Sequence, residues 1–457
     1  MNQTAALQSE PLWRELAGTD AFAVALQLAE EPGFLFLDSA MRNERVGRYS
    51  YVCCDPVAAP DANNVDQINT LLAAHRLRHV PGLPPFQGGL AGYIGYEFGQ
   101  SIEPQLRARS PAPDIPPMQL KIYDCVLAFD HVLGKAWGIS TGYPARDSAT
   151  RHARAAERLD ALLAKLGIPA TPLSGHGTIT AWTSNFTRAN YEAAVRRTIA
   201  FILDGDIFQA NISQQFTAAI PAGFNPLAFY ARLRERNAAP FGAYLKFGDL
   251  VIASSSPERL ISFDGAIAEA RPIKGTRRRD PNPHADAALK ADLLASRKDH
   301  AENVMIVDLL RNDLSKVCAP GAVDVPLLCG LESYATVHHL TSVVTGRLEP
   351  GRTPGDLLTA CFPGGSITGA PKLRAMEIIA EIEQRPRNIY CGSIGFAGFS
   401  GRMDFNICIR TAMFHRGHVT LHGGGGITAR SEPSAEYEET IAKVARILDV
   451  FGAEPPR

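Results

Sequence analysis

The segment RPIKGTRRR, residues 271–279, sets Lys274 at the end of an apolar run, directly before a glycine, with four arginines around it. Positive neighbours and burial both disfavour a protonated amine. A lysine held as the free amine is a nucleophile, although an ordinary surface lysine in a basic turn has the same appearance. Glu258, in SSSPERL, follows a Ser/Pro turn after an apolar strand. A carboxyl there can serve as a general acid or simply pair with Arg259. Two acidic pairs have helical i,i+3 spacing: Asp299 with Glu302 in KDHAENVMIVDLL, and Glu436 with Glu439 in SAEYEETIAKVARIL. Lys443 follows Glu439 by four residues on the same face. Tyr437, Ile441, Val444 and Leu448 form that helix's apolar stripe, so its carboxylates border the core-facing edge. Two such helices facing each other offer several hard oxygen ligands, which suits Mg²⁺. A solvated acidic face with one Glu–Lys pair has the same spacing.

Four consecutive glycines, Gly423, Gly424, Gly425 and Gly426, follow the strand-like run HVTLH. Their backbone N–H groups can turn toward an anion unobstructed by side chains, and with Arg410 and Lys443 they could clamp a carboxylate. A flexible turn is the plainer reading of a glycine run. The segment PGGSITGAPK, residues 363–372, can present hydroxyls and a helix start to an anion, and it lacks the pattern of a nucleotide P-loop. His339, in TVHHLTS, is one of two adjacent histidines in an apolar context, where a buried histidine is more often structural than catalytic.

The elements that must position these residues follow from composition and periodicity. The stretch 166–184, LGIPATPLSGHGTITAWTS, is rich in Gly, Pro, Ser and Thr and lies between two helical patterns. It reads as a linker between an N-terminal region, 1–165, and a larger region, 185–452. Strand-like runs come in neighbouring groups, with helices expected at 299–310, 370–383 and 435–451. That organisation favours an α+β fold of largely antiparallel sheets over a doubly wound one. A formal net charge of -1 provides no global basic field for nucleic acid. No apolar stretch is long enough to span a membrane. Eight scattered cysteines fit neither a zinc spacing nor a disulfide framework, and are expected to be reduced in a cytosolic enzyme.

Taken together, the strings GDIFQANISQQF, SPERL, RPIKGT, DHAENVMIVDLLRNDLSKV, VHHLTSVVTG, CFPGGSITGAPKLRAMEII, CGSIGFAGF, MDFNICIRT and GGGGITARSEPSAEYEETIAK resemble the chorismate-utilising family. That family includes the anthranilate, aminodeoxychorismate, isochorismate and salicylate synthases. The N-terminal third resembles it through FLFLDSA, GRYSYVCCDP and GYIGYEFG. The resemblance implies two antiparallel sheets packed as a sandwich with helices outside. Lysine at position 274 is similar to the aminodeoxychorismate branch, where anthranilate synthases carry alanine. It implies that Lys274 attacks ring carbon C2 of chorismate, that Glu258 protonates the departing C4 hydroxyl, and that ammonia then adds at C4. Glu302 and Glu439 match the family's direct Mg²⁺ ligands, with Asp299 and Glu436 acting through metal-bound water. Gly275, Thr276, His339, Ser366, Arg410, Lys443 and the backbone of Gly424, Gly425 and Gly426 match chorismate-binding positions. Phe396 stands where many relatives have tyrosine, which implies one substrate hydrogen bond fewer.

The resemblance also aligns Ser39, Val46, Gly47, Arg48, Tyr49, Pro240, Phe241 and Gly242 with the family's tryptophan pocket. No glutamine amidotransferase segment is recognisable, so ammonia is expected from a separate small subunit. The pathway implied is that of 4-aminobenzoate and folate. Anthranilate synthase component I, isochorismate synthase and a non-catalytic chorismate- or tryptophan-binding relative are the alternatives.

Overall fold

The computed structural model describes residues 9–18, 20–42, 44–58, 61–106, 111–167, 173, 177–334 and 337–454. Among them, strands form one sheet of twelve and one of nine. Every pairing between these strands is antiparallel. The two sheets meet face to face: Leu35, Val126 and Ile252 of the first pack with Ala91, Tyr93 and Ile394 of the second. Helices cover both outer faces. Ala25, Phe229 and Val444, each from a different helix, bury against Phe36, Phe414 and Leu421 of the larger sheet. Ile306, Leu310 and Leu357 do the same against Leu260, Val344 and Phe405 of the smaller one. The result is the expected α+β sandwich, with helix, sheet, sheet and helix in layers.

The two sequence regions share both sheets. Phe34–Asp38 from the first region pairs with Phe241–Phe247 from the second, and Gly89–Ile94 pairs with Ser393–Gly398. The described part of the stretch 166–184 is anchored at two points: Ile179 and Trp182 are buried, and the Ile179 N–H donates to the Phe451 carbonyl at 3.0 Å. The three helices expected to carry chemistry run Arg297–Ser315, Lys372–Glu383 and Pro433–Val450. All eight cysteines are free, and seven are buried. No described helix is long and apolar enough to cross a membrane.

A buried ionic cluster fixes the helix Lys372–Glu383 against the larger sheet and two neighbouring turns. Arg387, 1% exposed, binds both Glu383 carboxylate oxygens and the carbonyls of Asn211 and Ile367. Glu97 accepts from the Arg387 backbone N–H at 2.7 Å, while its other oxygen is buried without a partner. Burial pushes the Glu97 carboxyl up to about 7, against the hydrogen bonds that hold it down. A folded-state value above the unfolded one means stability that is present at low pH and lost as pH rises through the folded value. The loss amounts to roughly 3 kcal/mol between pH about 4.5 and 7. Glu97→Gln is therefore expected to flatten the fall in urea-unfolding stability between those pH values. A curve parallel to wild type would remove Glu97 as its source.

Candidate active site

Lys274 is aimed by a break in strand register. Ile273 pairs with Thr341 but Thr276 with His339, so one extra residue bulges at Lys274–Gly275. Gly275 has φ +80, and a Cβ there would lie 2.8 Å from both Asp299 Cγ and Leu293 Cδ1. Glycine is required by backbone conformation and by space. The Lys274 Nζ donates to the Ser366 carbonyl at 3.4 Å, and the Ser366 hydroxyl donates to Glu258 Oε1 at 2.8 Å. Lysine and glutamate therefore meet across one serine, which the 3₁₀ turn Gly365–Ile367 presents. Burial pushes the Glu258 carboxyl up, while Lys274, the Ser366 hydrogen bond, Arg410 and Lys443 hold it back. Glu258 does not pair with Arg259, whose guanidinium binds Asp404 at 2.8 and 2.9 Å.

Three of the four arginines expected to crowd Lys274 have carboxylate partners. Arg271 binds Glu332 at 2.6 Å, Arg277 binds Asp292 at 2.6 Å, and Arg279 binds Asp286 at 3.0 Å. The sequence places these charges near the lysine, but the alternation of the strand sends them elsewhere. His339 is half-buried, with Nδ1 2.8 Å from Thr276 Oγ1. Burial, helped by the Arg410 charge, lowers its imidazole to about 4, so it is neutral at physiological pH.

Glu436 and Glu439 stand side by side on the helix Pro433–Val450. Burial pushes the Glu436 carboxyl up and the Glu439 charge adds to this, against a 2.6 Å hydrogen bond from Ser431. Burial acts on Glu439 in the same sense, but Lys443, Lys298 and Lys274 together bring it below the usual value. Lys443 lies 2.6 Å from Glu439 and donates to the Gly424 carbonyl at 2.7 Å. From the facing helix, Lys298 lies 3.9 Å from Glu302, and Asp299 lies 3.4 Å from Arg277. Among the described residues, no three His, Cys, Asp or Glu side chains converge to enclose a metal ion. The expected four-carboxylate set is thus two pairs, one on each helix. Lys298 is a cation shared by three of the four, being felt by Glu436 and Glu439 as well as by Glu302. The oxygen donors and the common cation position fit a hard divalent ion.

The glycine run is not a turn. Gly423 to Gly426 lie within the strand His418–Ile427 and pair with Asn211 to Gln214. The glycines make room for the C-terminal helix: a Cβ at Gly423 would lie 2.6 Å from the Thr440 carbonyl oxygen, and one at Gly425 would lie 3.0 Å from Glu436 Oε2. Phe396 also departs from expectation. It stacks on Phe86 at 4.6 Å and lines a cavity between the sheets that holds neither Lys274 nor Glu258. That cavity, about 380 Å³, is lined by Ser39, Gly47, Arg48, Tyr49, Pro240, Phe241 and Gly242. The Ser39 hydroxyl is tied to the Tyr49 carbonyl at 2.6 Å. Val46 is buried in a small adjoining hollow that also reaches His339.

Other groups border the site without any sequence signal. Lys298 is one. The amides of Gln209 and Asn211 are others: Gln209 is fully buried with neither amide atom partnered, and Asn211 Oδ1 is likewise unpaired. Gln209 packs where a Gly426 Cβ would fall. A buried polar atom without a partner is costly, and in a strand of mixed polar and apolar residues nothing in the sequence marks it.

A model of the chorismate binding enzymes matches residues 34–449. The chain belongs to the chorismate binding enzyme family. It is 43% identical over 366 residues to aminodeoxychorismate synthase component 1 of Klebsiella aerogenes, covering 80% of this chain and 77% of that one. It is 40% identical over 433 residues to anthranilate synthase component 1 of Streptomyces coelicolor, covering 92% and 83%. The crystal structure of anthranilate synthase component I from Streptococcus pneumoniae superposes with TM-score 0.77 at 31% identity, covering 88% of this chain and 92% of that one. Within this family the meeting of Lys274, Glu258, Arg410 and Lys443 is a candidate chorismate site.

Proposed function

We propose that the chain is the chorismate-aminating subunit of an aminodeoxychorismate synthase, which makes 4-amino-4-deoxychorismate for 4-aminobenzoate and folate. The observation that carries this reading is the bulge that brings Lys274 to Ser366, opposite Glu258. Lys274 attacks ring carbon C2 of chorismate, the ring double bonds shift, and the C4 hydroxyl leaves as water with the proton of Glu258. Ammonia then adds at C4, the bond to Lys274 breaks, and the Glu258 carboxylate takes up the ammonia's excess proton. The covalent intermediate divides one difficult displacement into two allylic ones. His339, being neutral, orients the substrate through hydrogen bonds without adding charge. Ammonia comes from a glutamine amidotransferase partner, and the cavity at Ser39 takes tryptophan.

Glu302 and Glu439 would hold Mg²⁺ directly, with Asp299 and Glu436 reaching it through water. Mg²⁺ held there would neutralise the ring carboxylate. Glu302→Ala and Glu439→Ala are each expected to move the Mg²⁺ titration of activity to concentrations at least about tenfold higher. Superimposable titrations would overturn the assignment.

Anthranilate synthase component I is the second reading. It is favoured by coverage, since such relatives align over 92% of the chain against 80% for the aminodeoxychorismate synthases. Product identification with chorismate, Mg²⁺ and ammonium separates the two. Anthranilate fluoresces at once, whereas 4-aminobenzoate appears only after aminodeoxychorismate lyase is added. Fluorescent product without the lyase would overturn the first reading.

A further inference from the structure

The C-terminal helix carries more polar groups along the site than the mechanism uses. Glu436, Glu439, Lys443 and Arg446 follow one another at intervals of three, four and three residues, so they share one face. The stripe is acidic at its start and basic at its end. Where the basic end points is fixed by the strands beneath. Thr420 pairs with Met413, and continuing that register sets Arg410 level with Gly423. The pairing stops short of that point. Arg410, at φ +53, turns its strand away, and among the described residues no strand pairs with Gly423 to Gly426 on the edge opposite Gln209–Ala219. A Cβ at Gly423 would touch Thr440 and Val444, so that part of the helix lies directly over the gap. Arg446 is two residues beyond Val444, on the Lys443 side.

The charges at this corner are unbalanced. The Arg446 side chain is exposed; Arg410 also keeps exposed surface, although protein atoms crowd its guanidinium, and among the described residues neither has a hydrogen bond or ion pair to a carboxylate. Lys443, by contrast, is tied to Glu439 and to the Gly424 carbonyl. Burial of the Arg410 guanidinium, followed by the Arg446 charge, holds Arg410 below its ordinary value. Two guanidinium groups set close together beside an unpaired backbone edge are relieved by an arriving anion.

We propose that Arg446 is a substrate-binding residue of this site, forming with Arg410 an anion corner that takes one carboxylate of a dianionic substrate. The proposal rests on chorismate, a ring dicarboxylate, being that substrate. The acidic start of the stripe then serves the carboxylate neutralised by metal, and the basic end serves the other. Glu439, the acidic residue next to the basic part, and Arg446 are roughly 10 Å apart along the helix.

Calorimetric titration of chorismate into the full chain tests this with Arg446→Gln, Arg446→Lys and Arg446→Glu, with thermal midpoints as a check on folding. Arg446→Gln should raise the Kd about tenfold, the loss of one charge-assisted hydrogen-bonding partner. Arg446→Lys should recover most of it, and Arg446→Glu should bind more weakly than Arg446→Gln. The salt dependence of kcat/KM should become shallower in Arg446→Gln. If wild type binds chorismate and Arg446→Gln binds it equally, the proposal is overturned while the substrate stands. If wild type binds no chorismate, the substrate reading falls and the Arg446 assignment with it.

Discussion

Replacing Lys274 by alanine is expected to lower aminodeoxychorismate formation on the order of a thousandfold or more, because the other amine of the site, Lys443, is tied to Glu439 and the Gly424 carbonyl. Chorismate binding should persist, since Arg410 and Lys443 are untouched and Lys274 contributes a single hydrogen bond, to Ser366 at 3.4 Å. The loss should therefore appear in kcat. Lys274→Arg should fail equally, because a guanidinium keeps the positive charge but cannot serve as the amine nucleophile. Intact-mass measurement gives an independent readout. Wild type mixed with chorismate and no ammonia should carry an adduct of chorismate less one water, and Lys274→Ala should not. An alanine variant that retains full turnover would end the covalent mechanism.

The sandwich was legible in the sequence because both of its signals are local. Grouped strand runs and amphipathic helices specify antiparallel layers, and the helices Arg297–Ser315 and Pro433–Val450 lie where their apolar spacing puts them. What periodicity cannot convey is which strands become neighbours. A Gly/Pro-rich stretch marks a break in pattern, yet a block of strands from each side of it joins the other within each sheet. The site was legible as residue types and less so as geometry. Lys274, Glu258 and Ser366 converge as their strings suggest, but the carrier of that convergence is a one-residue bulge that leaves no mark beyond Gly275. The strand conformation of the glycine run was not legible, because glycine gives the same signal for backbone freedom, as in a turn, and for close helix approach. Phe396 lines the cavity of Ser39 and Tyr49, a placement set by which side a strand position faces, and that register the sequence does not display.

Glu258→Gln is expected to lower kcat about 10²- to 10⁴-fold, the usual contribution of a positioned general acid. Its pH behaviour distinguishes catalysis from scaffolding. Burial raises the Glu258 carboxyl above the ordinary glutamate value, so the protonated form needed to release the C4 hydroxyl survives to higher pH than in water. In wild type, the activity that depends on this proton should fall as pH rises through the folded value. In the glutamine variant that limb should vanish from the residual rate. The substitution should act on stability in the opposite sense to its effect on rate. A carboxyl whose folded value is raised contributes stability that is fully present below its unfolded value and lost as pH rises through the folded one. At neutral pH the buried charge is a cost that glutamine lacks, and glutamine can still accept from the Ser366 hydroxyl through its own Oε1. The variant should thus be at least as stable as wild type at pH 7 and far less active. A glutamate kept only to hold the Ser366 turn would give the reverse: a lower melting point, an unchanged pH limb and little loss of rate per folded molecule. Melting curves and kcat–pH profiles on the same preparations decide between them.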